Sequence, residues 1–207
     1  MTTREIFGDL LSFKPNRHTL GGTSYLLVAT AANGLGCNWL VDCPAWSEVN
    51  RLQIEQAGGI GAVFVTHRGA IGELEAFCRH FQVAAWIQEQ EAYLLLAREL
   101  TVHTFAERTQ LDTGLTALWT PGHSPGSSCL LWQAHGGVLF SGRHLLPDGR
   151  GNVGPVQTAK TFHWPRQLAS AERLGPLNYR HVCPGAAVGL LRGQSTIVVD
   201  EREHRSV

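Results

Sequence analysis

Lysine is almost missing from this chain, two residues in 207, and charged residues of all kinds make up 16% of it, against roughly 25% in ordinary domains. Neither sign is in excess, because 17 Lys and Arg face 17 Asp and Glu. Without a clustered surplus of basic residues there is no surface for wrapping nucleic acid, and without a run of one sign there is no charged interaction tail. Long apolar runs are missing as well. The longest, Tyr25 to Ala32, is eight residues interrupted by Thr30, far short of the roughly 20 that span a bilayer. Arg4, Glu5 and Asp9 stand where the apolar core of a secretory signal would build up, so the expectation is a soluble cytoplasmic protein with no nucleic-acid or membrane partner. The five cysteines are odd in number, form no C-x-x-C pair and accompany no N-x-S/T sequon, which reads as reduced, buried thiols. The low charge leaves room for an apolar interface, and hence for a homodimer. What is abundant by contrast is histidine, ten residues, and that directs a search for metal ligands.

The length fits one domain over residues 1–207, since no Pro, Gly or Ser linker divides it. Between Leu10 and Pro44, apolar segments broken by Gly21-Gly22 and Ala32-Asn33-Gly34 predict two or three strands. Ser47 ahead of Val49 and Leu52, with Gly58-Gly59 behind, predicts a capped helix. Gly61 to Thr66 and Val83 to Ile87 read as buried strands around a helix carrying Leu74, Phe77, Cys78 and Phe81, and Glu89 to Leu100 reads as a further helix. Strands are then predicted at Leu115 to Thr120, Ser128 to Gln133 and Val138 to Ser141. A helix opened by Pro165 and stopped by Gly175-Pro176 follows, with a last strand at His181 to Pro184. Mixed sheets interleaved with helices in this order predict an α/β fold, a four-layer αββα sandwich of two mixed β-sheets with helices outside. Pro147 to Lys160 reads as the longest irregular loop, a lid or a crossover. The six tryptophans fall on predicted strands and helix starts, which suits packing better than base stacking. Arg166, Arg173 and Arg180 read as a solvated face, and the tail from Asp200 to Val207 is expected to fray.

Two motifs are decoys. Gly122-His123-Ser124-Pro125-Gly126 spells the G-x-S-x-G elbow of serine hydrolases. That mechanism takes an oxyanion donor from the backbone N–H after the serine, and proline has none. Gly149 to Gly154 spells G-x-G-x-x-G, but Pro155 follows and no helix opens there to receive a phosphate.

The informative segments are Thr66-His67-Arg68-Gly69-Ala70-Ile71-Gly72 after a strand, Thr120-Pro121-Gly122-His123-Ser124-Pro125-Gly126-Ser127, Leu139 to Arg143, and Val182-Cys183-Pro184-Gly185-Ala186. In this order and spacing the chain resembles the metallo-β-lactamase superfamily of hydrolases, with Leu40-Val41-Asp42 similar to the family's early strand and its aspartate near the metal pocket. The resemblance implies the αββα fold and a two-metal cluster that activates water. Residue by residue it implies something else here. The family's T-H-x-H-x-D-H keeps its first histidine as His67, while its second falls on Gly69, its aspartate on Ile71 and its last histidine on Gly72. The next ligand survives as His123, the bridging aspartate falls on Arg143, and the final histidine on Ala186. Gly, Ile and Ala offer no lone pair. A guanidinium at the bridging position repels a nearby cation by about 4 kcal/mol per charge pair at an effective dielectric near 20.

Three readings follow for this cleft. His67 and His123 are remnants that only hydrogen-bond within it. Alternatively, His67, Arg68, His123, Arg143 and His144, with Asp42 beneath, form a cationic cleft that binds an anionic small molecule without a metal cofactor. The third is a hydrolase of ester, thioester or lactam bonds with one zinc on His67, His123 and a displaced ligand, His144 or Glu73. The spread of ligand loss over three segments favours a non-catalytic relative over the hydrolase.

Overall fold

The computed structural model describes residues 3–148 and 150–199, so Gly149 of the glycine-rich loop and the tail from Asp200 lie outside the described residues. Seven strands build the first sheet in chain order: β1 (Thr3–Phe7), β2 (Leu10–Phe13), β3 (Tyr25–Leu27), β4 (Trp39–Val41), β5 (Ala62–Phe64), β6 (Ala84–Gln88) and β7 (Val102–Phe105). Strands β1 to β4 pair antiparallel, and β4 to β7 parallel. Parallel neighbours need a crossover, which α1 (Glu48–Gln56) and α2 (Leu74–Phe81) supply for the first two pairs and a 3-10 segment (Glu89–Leu95) for the third. Ser47 caps α1 as its position suggests, accepting a hydrogen bond from the Asn50 amide.

The second sheet runs β15 (Ile197–Val198), β14 (His181–Pro184), β11 (Val138–Gly142), β10 (Ser128–Trp132), β9 (Leu115–Trp119) and β8 (Arg108–Asp112). Only β11 and β14 pair in parallel, joined across α3 (Trp164–Leu174). A separate two-stranded ribbon, β12 (Leu146–Pro147) with β13 (Val153–Gly154), occupies the predicted irregular loop.

Alternation along the strands explains the layers. Trp39, Val41, Ala62, Phe64, Leu130, Trp132, Val138 and Phe140 point into one cluster between the sheets. Their neighbours Leu40, Val63 and Val65 face α1 and α2 with Ile54, Leu74 and Phe77. On the far side Cys129, Leu131 and Leu139 meet Ala171 and Leu174 of α3. The order is therefore helices, sheet, sheet, helix, the predicted αββα sandwich. All five cysteines are free, and Cys43, Cys78, Cys129 and Cys183 are buried.

Two local expectations change. The predicted helix, Glu89 to Leu100, is a 3-10 segment over Glu89–Leu95 followed by turns that lead to β7. Strands β1, β7, β8 and β15 were not expected; the residues of the first three are largely half-exposed or exposed and show no apolar run. Among the described residues no helix is long and apolar enough to cross a membrane.

Candidate functional site

Five strand ends meet at one edge of the layer between the sheets. Asp42 follows β4, Thr66 and His67 follow β5, the loop with His123 and Ser124 follows β9, Arg143 follows β11, and Gly185 and Ala186 follow β14. Hydrogen bonds between and within the two sheets hold them together. The Ser128 amide donates to the Thr66 carbonyl at 2.8 Å, the Thr23 amide to Gly185 at 2.9 Å and the Gly185 amide to Gly142 at 2.6 Å. The Tyr25 hydroxyl donates to the Pro184 carbonyl at 2.8 Å. Gly142 has φ +54°, and a Cβ there would stand 2.6 Å from Thr66 Oγ1. Only glycine fits, and its smallness lets the end of β11 pack directly against Thr66.

Asp42, Thr66 and His67 form a buried chain. The Thr66 amide donates to Asp42 Oδ1 at 2.8 Å. Thr66 Oγ1 stands 2.8 Å from Asp42 Oδ2 and 3.0 Å from His67 Nδ1. Asp42 adopts φ +58°, uncommon for a residue other than glycine. Burial pushes its carboxyl up to about 7, against the pull of the Thr66 hydrogen bonds and of Arg143.

The His67 and His123 rings meet edge to face, with centroids 5.0 Å apart. Burial holds both neutral, and the charges of Arg143 and Arg68 push in the same direction; His123 falls to about 4. His67 Nε2 is buried without a partner. Arg143 is half-buried, and its Nη2 donates to the Thr19 carbonyl at 3.0 Å and the Leu20 carbonyl at 2.6 Å, while its Nε has no partner. Arg68 stands exposed on the rim, its backbone N–H donating to Glu91 at 2.7 Å.

His144 is fully buried and turned toward α3, whose Gln167 donates to the His144 carbonyl at 3.0 Å. Both its ring nitrogens lack partners, and burial, with the charges of His123 and Arg173, lowers it to about 3. Glu73 pairs with His18 at 3.1 Å, both side chains partly exposed. Ile71 belongs to the apolar cluster under α1 and α2. Among the described residues no three His, Cys, Asp or Glu side chains are grouped so as to hold a metal ion.

The structure thus gathers Asp42, His67, His123 and Arg143, keeps Arg68 at the rim and sets His144 behind His123. Sequence reasoning missed Thr66 as the link between Asp42 and His67, along with the buried and partly unpartnered Ser124, Glu91 and Gln167. Thr66 opens the Thr66-to-Gly72 motif, but nothing local announces that its hydroxyl serves a residue 24 positions earlier.

A family model described as the metallo-beta-lactamase superfamily matches residues 19–186. A sequence comparison with curated proteins finds no match. Among solved structures, the chain is similar to BLEG-1 B3 metallo-β-lactamase, with 20% identity and a TM-score of 0.63 over 85% of this chain and 93% of that one. It is similar to a protein crystallised in a di-iron-bound form, with 23% identity and a TM-score of 0.65 over 84% and 93%. It also resembles a metallo-β-lactamase from Staphylococcus aureus subsp. aureus COL, with 18% identity and a TM-score of 0.71 over 91% of this chain and 58% of that one.

Proposed function

The chain belongs to the metallo-β-lactamase superfamily, and from that premise and its site geometry we propose that it has lost the two-metal hydrolytic centre and binds a small anion in the remodelled cleft. The observation that carries this reading is Arg143. It occupies the position where the family resemblance puts a bridging carboxylate, its Nε–H is buried without a partner, and its charge acts on His67 and His123, which burial keeps neutral. Burial lowers the proton affinity of both histidines most, and the positive charge of Arg143, which adds to that lowering, would also repel a metal cation. The donors left, His67 and His123, do not fit a metal pair, because Gly69, Gly72, Ile71 and Ala186 bring no lone pair to it. An anionic oxygen, by contrast, finds charge-assisted donors there.

The test is anion affinity. Phosphate and acetate bind the wild-type chain saturably, and Arg143→Ala weakens both by about tenfold or more, since hydrogen bonds to charged groups carry about 1.5–3 kcal/mol. Equal affinity in the two proteins overturns the reading.

One observation favours the second reading, hydrolysis with a single zinc: the bare Nε2 of His67 lies beside His123. That reading requires a third donor to move in, and it predicts ester or lactam turnover that zinc restores after chelation.

A further inference from the structure

A groove of about 600 Å³ lies between the β1–β2 edge of the first sheet and residues 188–195, which join β14 to β15 in the second. It shares no lining residue with the cleft of Asp42, His67, His123 and Arg143. Its volume falls within the roughly 300–1,000 Å³ of small-molecule sites.

Strands β1 and β2 pair with Arg4 opposite Ser12, so these two side chains leave the ribbon on one face. Ser12 shows which face that is. Its buried hydroxyl donates to Ser195 Oγ at 2.8 Å, tying β2 to the opposite wall at the floor of the groove. Arg4 reaches the same wall: a Cβ at Gly193 would stand 3.7 Å from both Nη1 and Nη2, so the guanidinium lies against the Gly193 backbone. Lys14 follows β2 directly and lines the groove too. Both cations are exposed, and among the described residues neither side chain has an ion-pair or hydrogen-bond partner. Glu5 is the one acidic residue of the lining, and it alternates with Arg4 along β1, opposite Leu11, so its side chain leaves on the other face. The charge turned into the groove is therefore positive and uncompensated.

Pro15, Val188 and the aliphatic stems of Arg4 and Lys14 give the lining its apolar part. We infer that this groove is a second ligand site, which takes a small carboxylate with an apolar body. The carboxylate meets the Arg4 guanidinium, whose planar donor fork matches it, and the charge of Lys14 adds to the attraction. The body lies along Pro15 and Val188. A cationic ligand would meet two like charges, and a neutral one would leave both cations without a partner.

Three probes that share one ring system and differ in head charge test this: naphthoate, naphthylmethanol and naphthylmethylamine. Binding is followed by the amide NMR signals of Gly193 and Ser195, which line this groove and not the Arg143 cleft. In the wild-type chain naphthoate binds saturably, naphthylmethanol at least about tenfold more weakly and the amine more weakly still. Acetate, which has the head without the body, also binds at least about tenfold more weakly than naphthoate. Arg4→Gln weakens naphthoate about fivefold, and the double variant Arg4→Gln/Lys14→Gln brings it to the affinity of naphthylmethanol. Both residues are exposed, so the urea midpoint stays within error of wild type in these variants. Arg143→Ala leaves naphthoate binding in the groove unchanged. The probe comparison itself needs no variant. Equal affinity for naphthoate and naphthylmethanol, no saturable shift with naphthoate, or wild-type affinity in the double variant overturns the inference. So do amide shifts that follow protein concentration instead of added probe, as a second copy of the chain seated in the groove would produce.

Discussion

The middle and the edge of the layer between the two sheets are built on opposite terms. In the middle, Tyr25, Phe64, Leu130, Trp132 and Phe140 are packed with almost no exposure, and nothing is missing except a partner for Trp132 Nε1. At the edge, the strand ends and the helical segments beside them leave His67 Nε2, Ser124 Oγ, Arg143 Nε, Glu91 Oε1, Gln167 Oε1 and both nitrogens of His144 without protein partners. Buried polar atoms are almost always paired in folded proteins. The edge is therefore a place where the chain accepts a cost in stability that the middle recovers through apolar burial.

The largest expected effect separates the two regions. Phe64→Ala, in the middle, removes a fully buried ring and should cost about 3–5 kcal/mol in a urea titration, with no change in anion affinity per folded molecule. A cost under 1 kcal/mol would mean that the middle is not the mainstay of the fold.

Acid should act on the edge. His67, His123 and His144 stay neutral in the native chain well below the ordinary histidine value, His123 to about 4 and His144 to about 3. Unfolding at pH 5 therefore takes up protons, and the stability present above about 6.5 is lost as pH falls toward those values. Asp42 works the other way. Raised to about 7, it keeps a proton that the unfolded chain has released, so its contribution is present below about 4 and lost as pH rises through 7. Between pH 6.5 and 4.5 the three histidines outnumber the one carboxyl, and stability falls on acidification by about 1.4 kcal/mol per pH unit for each net proton. Urea midpoints at pH 7, 6 and 5 check this, and a flat profile would contradict the buried neutral histidines.

The smallest effect is the most local. Arg143→Met gives up two hydrogen bonds to the Thr19 and Leu20 carbonyls and should shift stability by no more than about 1–2 kcal/mol. It should also move His123 up from about 4, because a neighbouring positive charge is gone. An NMR titration of His123 that does not move would separate Arg143 from the histidine pair.

Much of the middle was legible in the sequence and much of the edge was not, for a physical reason. Strands such as Val138–Gly142 and Ser128–Trp132 are buried on both faces and announce themselves as short apolar runs. The capped start of α1 at Ser47 and the proline-led start of α3 are likewise local signals. Family resemblance placed His67, His123 and Arg143 at the strand ends, and the structure brings those ends together. The use of Thr66 as a bridge between Asp42 and His67, the pairing of Glu73 with His18 and the burial of His144 under α3 depend on contacts between distant segments. No periodicity encodes them. The 3-10 segment at Glu89–Leu95 misled because helix-forming composition is only a weak local preference, which tertiary context overrides.

The central claim is that a fixed guanidinium has taken the place of a metal cluster, and elemental analysis tests it most directly. The untagged chain, produced with added zinc and iron, should carry well under one equivalent of either metal, and His67→Ala should leave that figure unchanged. One or two equivalents of metal, lost on substitution of His67, would contradict the account and restore metal-dependent hydrolysis as the function of this site.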